Sequence, residues 1–362
     1  MKKRTDNRLL AIIAALFLFP VVAVSQIDGD FMKGGLNDGM KLMEAYISPW
    51  AKAFGAGFSG GWYNTAKPHK FGGFDITLTV SAGMVPENET SFDLKDLNFQ
   101  KLTLVNPSGP SISPTIAGVG DSGPLLNYMV TVPGYSPIEL ARFTAPAGTG
   151  VKFVPVPMAQ VGIGLPLGTE VTGRFIPKIT ISDGDISMWG IGLKHSIMQY
   201  LPGNKLLPVD VSLFGGYTKM SGNMPIDVQP DSYANFTTYT FADFADQMVS
   251  ATVTGWNASV IASLNIPILT VYGGLGYASS RTTIDLLGKY PMPEADPSIS
   301  TTGPVYKDSG VITQVEGIDI EDFSGLRANI GLRVKFAVIT IHADYTRSQY
   351  NVFTAGLGIS FR

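Results

Sequence analysis

The sequence predicts an all-β fold: a transmembrane, antiparallel up-and-down β-barrel of twelve strands, with fourteen as the alternative, behind a short N-terminal helix. Three observations predict it. Segments of about ten residues alternate apolar and polar side chains with period two, the length and pattern of a tilted membrane-spanning strand. Tight turns and long loops alternate between those segments, the asymmetry of a barrel with short turns on one side of a membrane and long loops on the other. Composition removes the rivals: of 362 residues 45% are hydrophobic, 15% charged, 41 are Gly, 24 are Pro and none is Cys. So many apolar residues exclude a disordered chain, and so many helix breakers exclude a coiled coil or helical array. Without Cys there is no disulfide framework and no thiolate-bound metal.

The chain opens with a basic stretch, Lys2, Lys3, Arg4 and Arg8, then an uncharged apolar run from Leu9 to Val22. Ala23-Val24-Ser25 supplies the small residues that a signal peptidase reads. We expect residues 1–25 to be a cleaved signal peptide and 26–51 a periplasmic or plug segment with a short helix. The barrel is expected over 52–362. Cleavage removes four of the 26 basic residues and one of the 29 acidic ones, leaving a formal charge of about −6. That charge argues against nucleic acid as a partner. No later segment reaches 18 uninterrupted apolar residues, so the strands have to do the crossing.

The last strand is the clearest. Phe353, Ala355, Leu357, Ile359 and Phe361 alternate with Thr354, Gly356, Gly358, Ser360 and Arg362. Leu326 to Phe336 repeats the pattern, as do Phe74 to Met84 and Val209 to Tyr217. The faces opposite the apolar ones are rich in Gly, Ser, Thr, Asn, Arg and Lys, which suits a wet lumen better than a packed sandwich. Trp62, Tyr63, Trp189, Tyr200, Tyr217, Tyr277, Tyr345 and Tyr350 lie near strand ends, where an interfacial girdle would place them. The twelve segments are 52–63, 73–84, 97–106, 153–165, 169–178, 186–199, 209–219, 249–264, 268–280, 323–335, 338–347 and 351–362. They leave three long loops, 107–150, 220–248 and 281–322, all on one side, with both chain ends on the other. The alternation slips near Gly255–Trp256, which reads as a bulge. Pro157 and Pro177 are placed at strand ends, where a missing donor is tolerated. A further hairpin at 232–242 would make fourteen strands.

Inward parity assigns Arg327, Arg333, Lys335, Arg174, Lys194, Asp75, Asp210 and Asp344 to the lumen, with His342 on the face of Asp344 and able to bond it. Asn37 or Asp38 caps a short helix carrying Met40, Met43, Tyr46 and Ile47, which Pro49 ends; these four are gate or plug candidates. Loop 107–150 is apolar for a loop and is expected to fold onto or into the barrel mouth.

No catalytic, cofactor or metal motif stands out, and we expect no enzyme. The phospholipase of this barrel type sets a His and a Ser two apart on one lipid-facing strand, but here His195 and Ser196 are adjacent and face opposite ways. Expected partners are outer-membrane lipid and lipopolysaccharide, the barrel-assembly machinery during biogenesis, and a small hydrophobic ligand.

The run Gly60-Gly61-Trp62-Tyr63-Asn64-Thr65-Ala66-Lys67-Pro68-His69-Lys70, followed by Gly73-Phe74-Asp75, resembles a signature of an uncharacterised family of exported Gram-negative outer-membrane β-barrels. The resemblance implies location and architecture and no catalytic residues. The final strand resembles the signal read by the barrel-insertion machinery, although Arg362 follows the aromatic Phe361. In outline, an N-terminal helix before a barrel of this size is similar to long-chain fatty-acid transporters. These features lead us to expect a passive channel or transporter for small solutes, hydrophobic ones among them. The alternative is a structural or adhesive barrel with a closed lumen, acting through its outer loops.

Overall fold

The computed structural model describes residues 35–361 except 121, 182, 201–207, 231–233, 301–302 and 316. The expected signal peptide lies outside the described residues. One helix, α1 (Leu36–Phe58), precedes ten long strands. These are β1 (Phe74–Met84), β2 (Phe153–Leu165), β3 (Thr169–Ile181), β4 (Gly184–Ser196), β5 (Val209–Pro225), β6 (Met248–Asn265), β7 (Leu269–Leu287), β8 (Ile318–Phe336), β9 (Ile339–Arg347) and β10 (Val352–Phe361). Each pairs antiparallel with its sequence neighbours, and β1 pairs with β10, so the sheet closes on itself without an edge.

The barrel has ten strands, not twelve or fourteen. Segment 52–63 is the second half of α1 and the chain leaving it. Segment 97–106 contributes only Leu102–Leu104, part of a three-stranded sheet outside the barrel with Leu125–Val130 and Ile138–Thr144. The hairpin expected at 232–242 amounts to Ala234–Asn235, which pairs in parallel with Tyr306–Lys307. Nor does Pro49 end the helix, which runs nine residues further. A proline removes one helical hydrogen bond, but packing on all sides outweighs that loss here. The barrel therefore begins at Phe74.

The outer surface carries the expected grease. On β1, Phe74, Ile76, Leu78 and Val80 are exposed while Thr77, Thr79 and Ser81 are buried. On β10, Phe353, Leu357, Ile359 and Phe361 are exposed while Thr354 and Ser360 are buried. Eight residues at about 3.4 Å each, tilted by about 40°, make a belt about 20 Å tall, close to the apolar band of such barrels. Aromatic pairs rim it: Trp189 with Tyr217, Trp256 with Tyr277 and Tyr345 with Phe353 toward the long loops, and Phe74 with Phe361 at the other end.

The wall is uneven. β5 to β8 have 17 to 19 residues, against 9 to 11 in β9, β10 and β1. Above the upper girdle the hydropathy of the two faces exchanges. On β6, Trp256 and Val260 face outward below; above, Val249 and Val253 are buried inside while Ser250, Thr252 and Thr254 take the other face. The pairing of β6 with β5 and β7 runs through Gly255–Trp256 without a shift, so the expected bulge there is absent. It is the surroundings that change, from lipid outside and polar lumen inside to water outside and an apolar core inside. The register shifts of the barrel fall instead at Ser280/Arg281 and Ile176/Ile179.

That apolar core encloses α1. Leu42, Met43, Tyr46, Ile47, Trp50, Ala53 and Phe54 recur at helical spacing and are all buried. They pack among Val249, Val253, Ile284 and Leu286 of the tall wall and Ile116, Leu126, Ile138 and Phe143 of the first long loop. Tyr46 donates to the carbonyl of Ala147 and Trp50 to that of Val151, tying helix to loop. Asp38 accepts the backbone N–H groups of Gln100, Lys101 and Leu102, fixing the start of the helix at the long-loop end. The segment thus enters the barrel from the side of the long loops, not from the side expected. Among the described residues no helix is apolar and long enough to cross a membrane, and α1 lies inside the barrel.

Helix and wall approach tightly at Gly83, where a Cβ would stand 1.8 Å from the Ala53 carbonyl oxygen. Gly83→Val is expected to destabilise the fold by about 1–3 kcal/mol through overpacking, read as a lower unfolding midpoint and faster protease cleavage within α1. Gly215→Val, whose Cβ meets open space, is expected to leave both unchanged.

Candidate functional site: a stoppered lumen

A helix end leaves carbonyls without partners, and burying them unpaired is costly. Alpha-1 ends in mid-lumen, and two arginines from opposite parts of the wall meet it. Arg174 of β3 donates from Nη1 to the Phe58 carbonyl at 3.2 Å and from Nη2 to that of Gly60 at 2.6 Å. Arg327 of β8 donates from Nη1 to the Ser59 carbonyl at 2.7 Å, and Asn257 of β6 reaches the same oxygen at 2.7 Å. The guanidinium of Arg174 also donates from Nε to Gln160 Oε1 at 3.2 Å, and stacks 3.5 Å from the Trp62 ring. Two cations at the negative end of the helix dipole complement it as well as cap it.

Residues 59–73 then thread the lower lumen. The Trp62 indole is seated against Gly192 and Gly216, where an added Cβ would come within 2.9 Å of it. Tyr63 packs on Phe214 and Tyr272 and donates to Asn329 at 2.8 Å. Asn64 reaches His342 Nδ1 at 3.5 Å. Ala66 donates to Ser263 and accepts from Ser212. At the foot, the backbone N–H and Nδ1 of His69 both meet Glu170, at 2.9 and 2.7 Å, and Lys194 holds the other Glu170 oxygen at 2.7 Å.

The sequence-predicted lumen residues fall as follows. Arg174, Lys194, Arg327, Arg333, His342 and Asp344 are buried in the interior. Asp75 sits 3.7 Å from His69 and accepts from Thr77; Asp210 accepts from Asn265 and lies 3.8 Å from Lys67. Lys335 donates to the Ser360 carbonyl at 3.0 Å. Asp344 accepts from Tyr272 at 2.9 Å, while His342 turns to Asn64, so the expected His342–Asp344 bond is not formed. Of the plug candidates, Met43, Tyr46 and Ile47 are buried, and Met40 is half-buried against the same core. Sequence reasoning missed Glu170, Gln160, Asn257 and the whole threading segment. Glu170 and Gln160 share their strands' inward parity, the signal that would have found them.

Two arrangements invite chemistry and are blocked. Ser360 Oγ lies 3.1 Å from His69 Nε2, and His69 Nδ1 lies against Glu170, the order of a hydrolase relay. Ser360 is 1% exposed and receives Lys335 on its hydroxyl, so no substrate carbonyl can approach. His69, Asp75 and Glu170 could converge on a cation, their ligand atoms lying within 4.8 Å of one another. Lys194, on Glu170, already supplies that positive charge.

Above, between α1 and the tall wall, lies a cavity of about 100 Å³ lined by Trp50, Phe54, Met220, Met224, Val249 and Ile284. The long loops that follow β5 and β7 are pinned by aspartates. Asp308 accepts from the Thr237 hydroxyl and from the N–H groups of Thr237 and Thr238, which hold its carboxyl down to about 2. Lys289 does the same for Asp243, and Lys307 for Asp296, each held to about 2.

A closed antiparallel cylinder with a greasy belt, aromatic rims and an interior filled by its own N-terminal segment defines a stoppered β-barrel of the membrane-spanning class. The sequence matches a family described as "Family of unknown function (DUF6588)" over residues 1–361, and the chain belongs to that family. No curated protein matches it. Among solved structures, the outer-membrane protease OmpT of Escherichia coli is 8% identical, with a TM-score of 0.31 over 80% of this chain and 97% of its own. The translocator domain of the autotransporter NalP of Neisseria meningitidis is 12% identical (TM-score 0.28; 88% and 96% covered). The attachment invasion locus protein Ail of Yersinia pestis is 8% identical (TM-score 0.24; 80% and 98% covered). At these scores the likenesses carry no argument, and the barrel rests on its own strand pairing. The comparisons do not show the outline similarity to long-chain fatty-acid transporters.

Arg174→Met leaves two buried carbonyls unmet and is expected to cost on the order of 3 kcal/mol in unfolding free energy, against about 1 kcal/mol for Asn257→Ala. The outer-loop aspartates give a pH signature. Each is depressed in the folded state, so its stabilisation is present above about pH 4 and lost as pH falls toward 2. Hydrogen exchange over 234–245 and 289–310 is expected to accelerate in that window while the barrel strands stay protected, and Asp308→Asn is expected to give the fast exchange at neutral pH.

Proposed function

We propose that this protein is an outer-membrane β-barrel that binds a small apolar molecule in its outer chamber and does not conduct along its axis. Its long loops face outward and its tight turns face the periplasm. One observation carries the reading: the lumen is filled by α1 above and by 59–73 below, and an apolar cavity lies beside the helix. A passive axial channel needs a continuous wet path, and here the threading segment occupies the axis and engages Glu170, Ser212, Ser263 and Asn329 of the wall. The closed-lumen alternative fits that filling. What separates ligand binding from adhesion through the loops is the cavity, whose two methionines give an adaptable wall. The role is binding and not catalysis, since both arrangements with catalytic geometry lack access.

In planar bilayers the native protein is expected to be silent, and Arg174→Met with Arg327→Met to show discrete openings; defined openings of the native protein would overturn the closed lumen. In lipid nanodiscs, decanoate is expected to bind saturably and Val249→Trp to weaken it at least tenfold by filling the cavity. Equal binding by the two proteins would remove the cavity from the reading.

A further inference from the structure

The wall of the barrel has a seam. β2 and β3 pair at six positions only, from Leu165↔Thr169 up to Gln160↔Arg174. Above that point they part. Phe153–Ala159 of β2 continue to pair with β1, and Phe175–Ile181 of β3 continue with β4, but not with each other. Every other neighbouring pair of strands stays joined over eight or more positions.

The residues explain the parting. Pro155 and Pro157 stand two apart on β2, so their backbone nitrogens face the same neighbour. The ladder to β1 passes both without a break, so the two missing N–H donors are on the β3 side. Extending the lower ladder upward would set Pro157 opposite Pro177, which lies in the bulge between Ile176 and Ile179. Three prolines at one junction leave it without the donors to zip. Pro157 is buried, so packed side chains and not hydrogen bonds close the gap. Such a closure can yield while the ladders on either side stay intact.

Height and lining give the seam its meaning. Its floor lies one residue below Phe175 and its cross-strand partner Trp189, both lipid-exposed at the upper girdle, so it opens where acyl chains meet headgroups. On its inner side, Ile179 pairs with Ile186 and shares its inward face, yet Ile179 is 38% exposed. Ile186 in turn lines the apolar cavity beside Trp50 and Phe54. Apolar side chains thus stand at the seam's girdle, on its inner side and on the wall of the cavity.

We propose that the β2–β3 seam is a lateral portal through which a single alkyl chain passes between the outer leaflet and the cavity. The cavity's size suits one chain segment and not a two-chain lipid. This rests on the apolar-ligand reading above, and the test keeps the two apart. The protein is reconstituted in vesicles containing a single-chain amphiphile with an alkyl diazirine, irradiated, and its adducts mapped by mass spectrometry. Adducts are expected at Met220, Met224 and Val249 as well as at the belt residues Leu332 and Ile359. The chain has no cysteine of its own, so Ala159→Cys with Phe175→Cys, the first unjoined opposite positions, can be stapled and released in one sample. Oxidation is expected to lower the cavity adducts at least fivefold without changing the belt adducts, and reduction to restore them. Replacing Pro155, Pro157 and Pro177 by Val, which returns the donors, is expected to lower them likewise. Cavity adducts that neither change reduces would overturn the portal and leave the ligand site standing. Belt adducts without cavity adducts, stapled or not, would overturn the ligand site and the portal with it.

Discussion

The structure depends on satisfying the C-terminal end of a helix in the middle of a membrane barrel. Three consecutive carbonyls, of Phe58, Ser59 and Gly60, point into a lumen with no bulk water to receive them. Arg174 and Arg327 meet that need from β3 and β8. Guanidinium suits the task because its donors are fixed in one plane and it stays charged when buried. Once those bonds exist, the helix has one axial position and one rotation. Its apolar side chains then meet the tall wall, and the chain leaving it is aimed down the axis toward Trp62 and Tyr63. Had the helix ended lower, its carbonyls would have met the ring-filled layer around Phe214 and Tyr272, which offers few donors.

This dependence divides the interior. Below the clamp the lumen is lined by polar side chains, many of them held by the threading segment or by a neighbour across the wall. Above it the interior is an ordinary hydrophobic core. Charged groups such as Glu170 and Lys194 are affordable at the foot because each is paired within 2.7 Å; such pairing fixes the path of the segment more than it adds stability. The threading run Gly60 to Lys70 is the stretch that resembles the family signature, and Trp62, Tyr63, Asn64, Ala66 and His69 within it each have a partner on the wall. A sequence signature in a barrel that lies in no strand is accounted for if it is the part that closes the lumen.

Ten of the strands were legible because lipid on one face and polar lumen on the other impose period two on residues such as Ile76, Leu332 and Ile359. The two strands wrongly expected have different causes. Residues 52–63 are buried on nearly every side, where alternation carries no direction, whereas 97–106 lie in a loop outside the barrel, with only Leu102 buried and no lipid face to impose period two. The exchange of faces at Trp256 was visible as a slip in phase, but periodicity cannot tell a bulged backbone from an unbroken one that crosses from membrane to water. Parity also placed Arg174, Arg327 and Lys194 indoors without naming what they hold, since their partners are carbonyls of α1 and the threading segment. Backbone partners leave no mark in side-chain patterns.

Closure along the axis changes what the wall has to do. A cylinder with an open lumen can exchange solutes through its ends, and any gap between its strands is only a loss of hydrogen bonds. Here the ends are shut by α1 and by the His69 layer, and the apolar cavity beside the helix backs onto β4, one strand from the junction where three prolines withhold their donors. Unpaired strand edges inside a bilayer are disfavoured because lipid cannot satisfy them, and prolines reduce that cost by removing the donors themselves. The cost that remains, the unpaired carbonyls of β2 and β3 above Arg174, falls at the upper girdle, where headgroups and water reach. A seam set lower, within the belt, would leave those carbonyls in hydrocarbon; a seam set higher would open on water and admit no acyl chain. Its position is thus the one at which an opening to lipid costs least.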